Sequence, residues 1–124
     1  MPTGNMGYKF EKLEIYQLAL DHLDMIYDLA GRLPRSEEHN LKSQMIRAAT
    51  SIVLNIAEGS TSQSDAEQSR FLGMALRSLV ETIACQQIVS RRGYFENMGL
   101  ERIEAGSQTL FFKIQAMRKA IAQT

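Results

Sequence analysis

The sequence predicts an all-α domain, an antiparallel four-helix bundle of up-down-up-down order. Three observations predict it. Four segments carry apolar residues at spacings of three and four, and none alternates with the period of two that a strand needs. The two prolines, Pro2 and Pro34, lie outside those segments. The connections are short and polar, and short connections make neighbouring helices antiparallel. No segment is of low complexity and no fixed-period repeat is present.

The first helix is expected from Leu13 to Leu33. It carries two apolar stripes, Tyr16, Ala19, Leu23, Ile26 and Ala30, and Ile15, Leu18, His22, Met25 and Leu29. Two stripes exceed what one packing partner needs, so they predict central burial or a contact between subunits. Asp21, Asp24 and Asp28 mark the wet side, and Gly31 and Pro34 are expected to end the helix. Residues 1–12 read as a flexible lead and residues 13–124 as the bundle. The opening M-P-T-G-N-M-G has neither a basic start nor an apolar segment, so it is not read as a signal peptide.

The second helix is expected from Leu41 to Glu58, after the polar connection Arg35 to Asn40. Its stretch Met45 to Gly59 is apolar over most of its circumference and should be the most buried part of the chain, wrapped by the other three helices. Arg47, Thr50, Ser51, Asn55 and Glu58 interrupt it within roughly 140° of one another, with Leu54 in their midst. Gly59 is expected to end the helix in a left-handed turn.

Ser64 and Glu67 have the spacing of a capping box, so the third helix should start near Asp65. Running to Arg92, it would be about 42 Å long. Arg91 and Arg92 suit the negative helix end and Gly93 stops it. The fourth helix, from Leu100 to Ala122, steps through Leu100, Ile103, Ser107, Leu110, Ile114, Met117 and Ile121, a heptad-like seam.

Composition narrows the function. Fourteen Lys plus Arg balance 14 Asp plus Glu, so no overall basic charge points to nucleic acid. One cysteine, Cys85, excludes an internal disulfide and suits a reducing cytoplasm. No apolar run of about 18 residues suggests a membrane span. His22 lies in an apolar stripe and His39 in a connection. Neither sits in the carboxylate-histidine pattern of a metal-binding bundle, so no metal or cofactor is expected. Cys85 reads as a small core residue. No phosphate-binding glycine loop or nucleophile elbow occurs, and the chain reads as a non-enzyme.

Two groups of polar residues remain as candidates. Arg47, Asn55 and Glu58 of the second helix need partners if buried. Arg70, Arg77 and Glu81 share a face of the third helix and can supply them. The expected pairs are Arg77 or Arg70 with Glu58, and Arg47 with Glu81. They would fix helix register or a subunit contact, or form a polar ligand site. Lys42, Arg91 and Arg92 are the candidate nucleic-acid contacts; the bland reading of the arginine pair is compensation of the helix dipole.

Four blocks resemble the family of the ribosomal RNA intervening-sequence protein. They are Y-K-F-E-K-L-E-I-Y-Q-L-A-L (Tyr8 to Leu20), R-A-A-T-S-I-V-L-N-I-A-E-G-S (Arg47 to Ser60), R-F-L-G-M-A-L-R-S-L-V-E-T (Arg70 to Thr82) and R-R-G-Y (Arg91 to Tyr94). The resemblance implies a small bacterial four-helix bundle without enzyme chemistry. A related branch, the accessory protein of diversity-generating retroelements, implies self-association into a pentamer and RNA or a ribonucleoprotein as partner. The alternative is a purely structural or protein-interaction module with no nucleic-acid role. Val53 and Leu54 depart from the family block, which commonly has proline and serine there; without the proline the second helix should run straighter.

Overall fold

The computed structural model describes residues 9–95 and 100–122. Four long helices follow one another: α1 (Glu14–Gly31), α2 (Leu41–Ser60), α3 (Asp65–Arg92) and α4 (Leu100–Ala122). Short 3₁₀ turns precede α1 (Lys9–Lys12) and α2 (Arg35–Glu37). Among the described residues no helix is long and apolar enough to cross a membrane. Residues 1–8 of the expected lead lie outside the described residues. Its last four residues form the first turn, where Phe10 meets the Tyr16 ring edge-on at 4.9 Å.

Cross-helix contacts give the topology. On α2 and α3, Ser51 pairs with Ser78 while Gly59 lies against Phe71, so numbers rise on one helix as they fall on the other. Gln86 to Ser107 and Ser69 to Arg118 do the same for α3 and α4. Met25 against Gly106 and Glu14 to Lys113 do it for α1 and α4. Each neighbouring pair is therefore antiparallel, which is the up-down-up-down order expected.

The core has two halves. One gathers Ile15, Ala19, Ile52, Ile56, Leu72, Leu79, Leu110 and Ile114. The other gathers Ile26, Leu29, Met45, Ala49, Cys85, Val89, Leu100 and Ile103. All four helices contribute, because each turns one stripe inward. The α4 seam is buried from Leu100 to Ile114, and its last members Met117 and Ile121 are half-buried.

Two expectations are corrected. α2 is not wrapped by three helices. It shares long seams with α1 and α3 only, because a square bundle gives each helix two adjacent neighbours. Gly59 does not cap α2 in a left-handed turn, since Gly93 is the positive-φ residue among those described. Gly59 stays helical and buried, and a Cβ there would stand 3.0 Å from the Phe71 Cβ. Its lack of a side chain lets α2 and α3 approach closely. Of the two outcomes expected for the second stripe of α1, the chain shows burial for most of it. Ile15, His22 and Leu29 are buried within the chain, while Leu18 and Met25 line a groove beside α4.

The remaining caps follow the sequence. Ser64 accepts a hydrogen bond from the Glu67 N–H at 3.1 Å, and Gly93 ends α3 with φ 69°.

Candidate functional site

The α2–α3 seam is closed by small polar groups. Ser78 Oγ donates to Ser51 Oγ at 2.9 Å. Asn55 Nδ2 donates to the Ser51 carbonyl at 2.9 Å and to Ser51 Oγ at 3.0 Å. Asn55 is buried and needs these bonds. Its candidate partners on α3 are not the groups it uses.

The charged candidates lie outside this ladder. Arg47, Glu58, Arg70, Arg77 and Glu81 are all exposed. The expected pairs of Glu58 with Arg70 or Arg77, and of Arg47 with Glu81, are not formed within the chain; the ion pairs among the described residues are Arg32–Asp28, Lys42–Glu38 and Lys113–Glu14. The physical reason is placement. The serines occupy the seam, and the charges diverge from it into water, where a single pair gains little. Arg70 instead lies over its neighbour Phe71, 5.0 Å from the ring centre. Leu54 and Met74 stand among these charges, 57% and 42% exposed.

Lys42, Arg91 and Arg92 come together at one end of the bundle, where α2 starts and α3 stops. They are not equivalent. Lys42 Nζ is 3.2 Å from Glu38 Oε1. Arg92 is drawn into a cluster around Glu37, and Arg91 is exposed.

That cluster escaped the sequence reading, which took Arg35 to Asn40 as a polar connection. Glu37 is nearly buried, 9% exposed. Tyr94 Oη donates to its Oε2 at 2.5 Å and Asn40 Nδ2 to its Oε1 at 3.0 Å. The Tyr94 bond chiefly holds the Glu37 carboxyl below the usual carboxylate range against the opposing effect of burial; the Asn40 bond, the Leu41 N–H and the Arg92 charge act with it. Glu37 thereby supplies an acceptor at the start of α2, whose N-cap Asn40 makes no side-chain cap bond. The same carboxylate ties the α1–α2 connection to the residues after α3. Beside it Arg32 lies 4.9 Å from the Phe95 ring centre.

A second polar cluster sits inside the bundle. His22 is 1% exposed, with Nε2 3.5 Å from Thr82 Oγ1 and no partner at Nδ1. Burial pushes its pKa down to about 4, so the ring is neutral at pH 7. One turn along, Gln86 Nε2 donates to Ser107 Oγ at 2.9 Å. A groove of about 580 Å³ between α1 and α4 passes this cluster, with Asp21, Asp24 and Arg102 at its walls. Cys85 is buried, and burial raises its thiol pKa, as expected of a core cysteine. Among the described residues no three His, Cys, Asp or Glu side chains are placed to hold a metal ion.

The comparisons with known proteins agree with the blocks seen in the sequence. The model of the 23S rRNA-intervening sequence protein family matches residues 11–116. The chain belongs to this family. A crystal structure similar to it is a protein of unknown function from the S23 ribosomal protein family of Bacteroides thetaiotaomicron VPI-5482. The two are 25% identical, the match covers 85% of this chain and 98% of that one, and the TM-score is 0.79. No curated protein matches the sequence. The family match begins inside the turn before α1 and ends within α4, so it spans all four helices.

Proposed function

We propose that this family member is a non-enzymatic, cytoplasmic binding and assembly protein that associates with copies of itself and has RNA, or an RNA-bound protein, as its partner. One observation carries the assembly reading. The outer α2–α3 face presents Leu54 and Met74 among charges of both signs that form no ion pair among the described residues. Such a face gains partners when a second protein surface covers it. A ring of five, the form the resemblance implies, requires two different patches on each chain.

The RNA reading is supported by the gathering of Lys42, Arg91 and Arg92 at one end of a chain of zero net charge. Its test is retention of a structured RNA across a salt series. Retention should weaken steeply as salt rises and should fall in Arg91→Glu. No retention at low salt overturns the RNA reading and leaves a protein-interaction module. Light scattering tests assembly, and a monomeric mass at micromolar concentration contradicts it.

A further inference from the structure

The groove between α1 and α4 holds a buried polar atom that the fold itself leaves unused. We propose that this groove is a binding site for a primary ammonium carried on a small apolar body, held at the level of His22. The groove lies on the opposite side of the bundle from the outer α2–α3 face, and the proposal uses neither the assembly reading nor the RNA reading.

His22 is part of the groove's lining although it is only 1% exposed, so it lies at the floor. Hydrogen bonds assign its tautomer. Thr82 Oγ1 donates to the Leu79 carbonyl at 2.9 Å, so its hydrogen is committed. Toward His22 Nε2, at 3.5 Å, Thr82 can then only accept. The ring is neutral, because burial disfavours its charged form. The other ring nitrogen, Nδ1, therefore carries a lone pair, and no group among the described residues donates to it. A buried acceptor without a donor is unfavourable, and a ligand that brings an N–H removes that penalty.

Met25 packs on Gly106 and sets the register of the two antiparallel helices. About one turn back along α1 stand Asp21 and His22, and about one turn on along α4 stands Thr109, so the three share a level. All three line the groove. They offer a carboxylate, an imidazole nitrogen and a hydroxyl oxygen, which are three acceptors with one negative charge. A primary ammonium has three N–H donors and one positive charge. An alcohol brings one donor and no charge, and a carboxylate brings no donor and would face Asp21. Leu18 and Met25 supply apolar walls, and Gly106 keeps the space between the helices open, since a Cβ there would stand 3.0 Å from Met25 Cε. Arg102 lies about 10 Å from Thr109 along α4 and offsets the charge of Asp24, so the surplus negative charge falls at the Asp21 end. The groove, about 580 Å³, has the size of a small-molecule site.

The test titrates hexylamine into the full chain at pH 7 and follows the His22 ring nitrogens and the amides of Gly106 and Thr109 by NMR. Absence from His22→Leu identifies the ring signals. Hexylamine should shift the Nδ1 signal and both amides saturably, with half-saturation below about 10 mM. Hexanol and hexanoate, which share its apolar body, should shift neither at the same concentrations. Asp21→Asn should raise the half-saturation concentration about threefold or more. His22→Leu, read from the two amides, should raise it as well. Asp28→Asn, which is off the groove's lining and paired with Arg32, should leave it unchanged. No saturable shift with hexylamine overturns the proposal and leaves a groove that takes water only. Equal shifts with hexanol, or binding of hexanoate in place of hexylamine, overturn the ammonium as ligand. Unchanged affinity in either Asp21→Asn or His22→Leu overturns its placement beside His22.

Discussion

His22 is the residue whose burial has the clearest measurable consequence. The folded protein holds its pKa near 4, below the ordinary 6.5. A depressed histidine stabilises the fold above its unfolded pKa, because only the unfolded chain takes up the proton as pH falls. That contribution, about 3 kcal/mol in full, should shrink by about 2 kcal/mol between pH 7 and pH 5. Urea midpoints at the two pH values measure it. In His22→Gln the pH dependence over this window should largely vanish, and an undiminished difference would sink the assignment. Gly59 gives the second residue-scale outcome. A Cβ there meets Phe71 Cβ at 3.0 Å, an atom fixed to the α3 backbone. Gly59→Ala should cost about 1–3 kcal/mol in thermal unfolding, through overpacking. A gain in stability, as expected of glycine to alanine in an open helix, would show that the seam can give. Periodicity placed His22 in the apolar stripe, but a glycine required for close approach looks in sequence like a glycine that ends a helix. Only the partner helix distinguishes them.

At the scale of elements, the helices were legible almost to the residue. α3 and α4 have their expected ends, and α2 runs two residues further, through Gly59 and Ser60. α2 also continues unbroken through Val53, which is 7% exposed. The seam contents were less legible. Charges on facing helices suggested ion pairs, yet Ser51, Ser78 and Asn55 made the contact. Short side chains fit between close helices, whereas long charged ones gain more by staying hydrated. Gln86 and Ser107 could have been found, because both fall on buried positions of their helices. The Glu37–Tyr94 tie could not, since its partners are 57 residues apart and neither lies in a periodic pattern. Tyr94→Phe removes that hydrogen bond while keeping the ring. It should lower the melting temperature and loosen the start of α2, with faster amide exchange at Leu41 to Ser43. Unchanged exchange there would mean that Glu37 holds the cap without Tyr94.

The whole molecule is an antiparallel bundle whose outer α2–α3 face carries Leu54 and Met74 among charges that form no ion pair among the described residues. Fold and family could both be read from the sequence, because helical period and four ordered blocks survive without knowledge of contacts. Which face meets a neighbour could not. The second stripe of α1 allowed burial or a subunit contact, and most of it lies in the core. The face proposed above for assembly is the one bearing Leu54 and Met74 on α2 and α3. The most direct test sets Leu54→Glu beside Phe112→Glu in sedimentation equilibrium. Phe112 is 70% exposed on α4, away from that face, and serves as the control for charge added to an exposed apolar site. The account predicts that Leu54→Glu sediments as a monomer while Phe112→Glu associates as the wild-type protein does. The reverse result, or association of both variants alike, would contradict it.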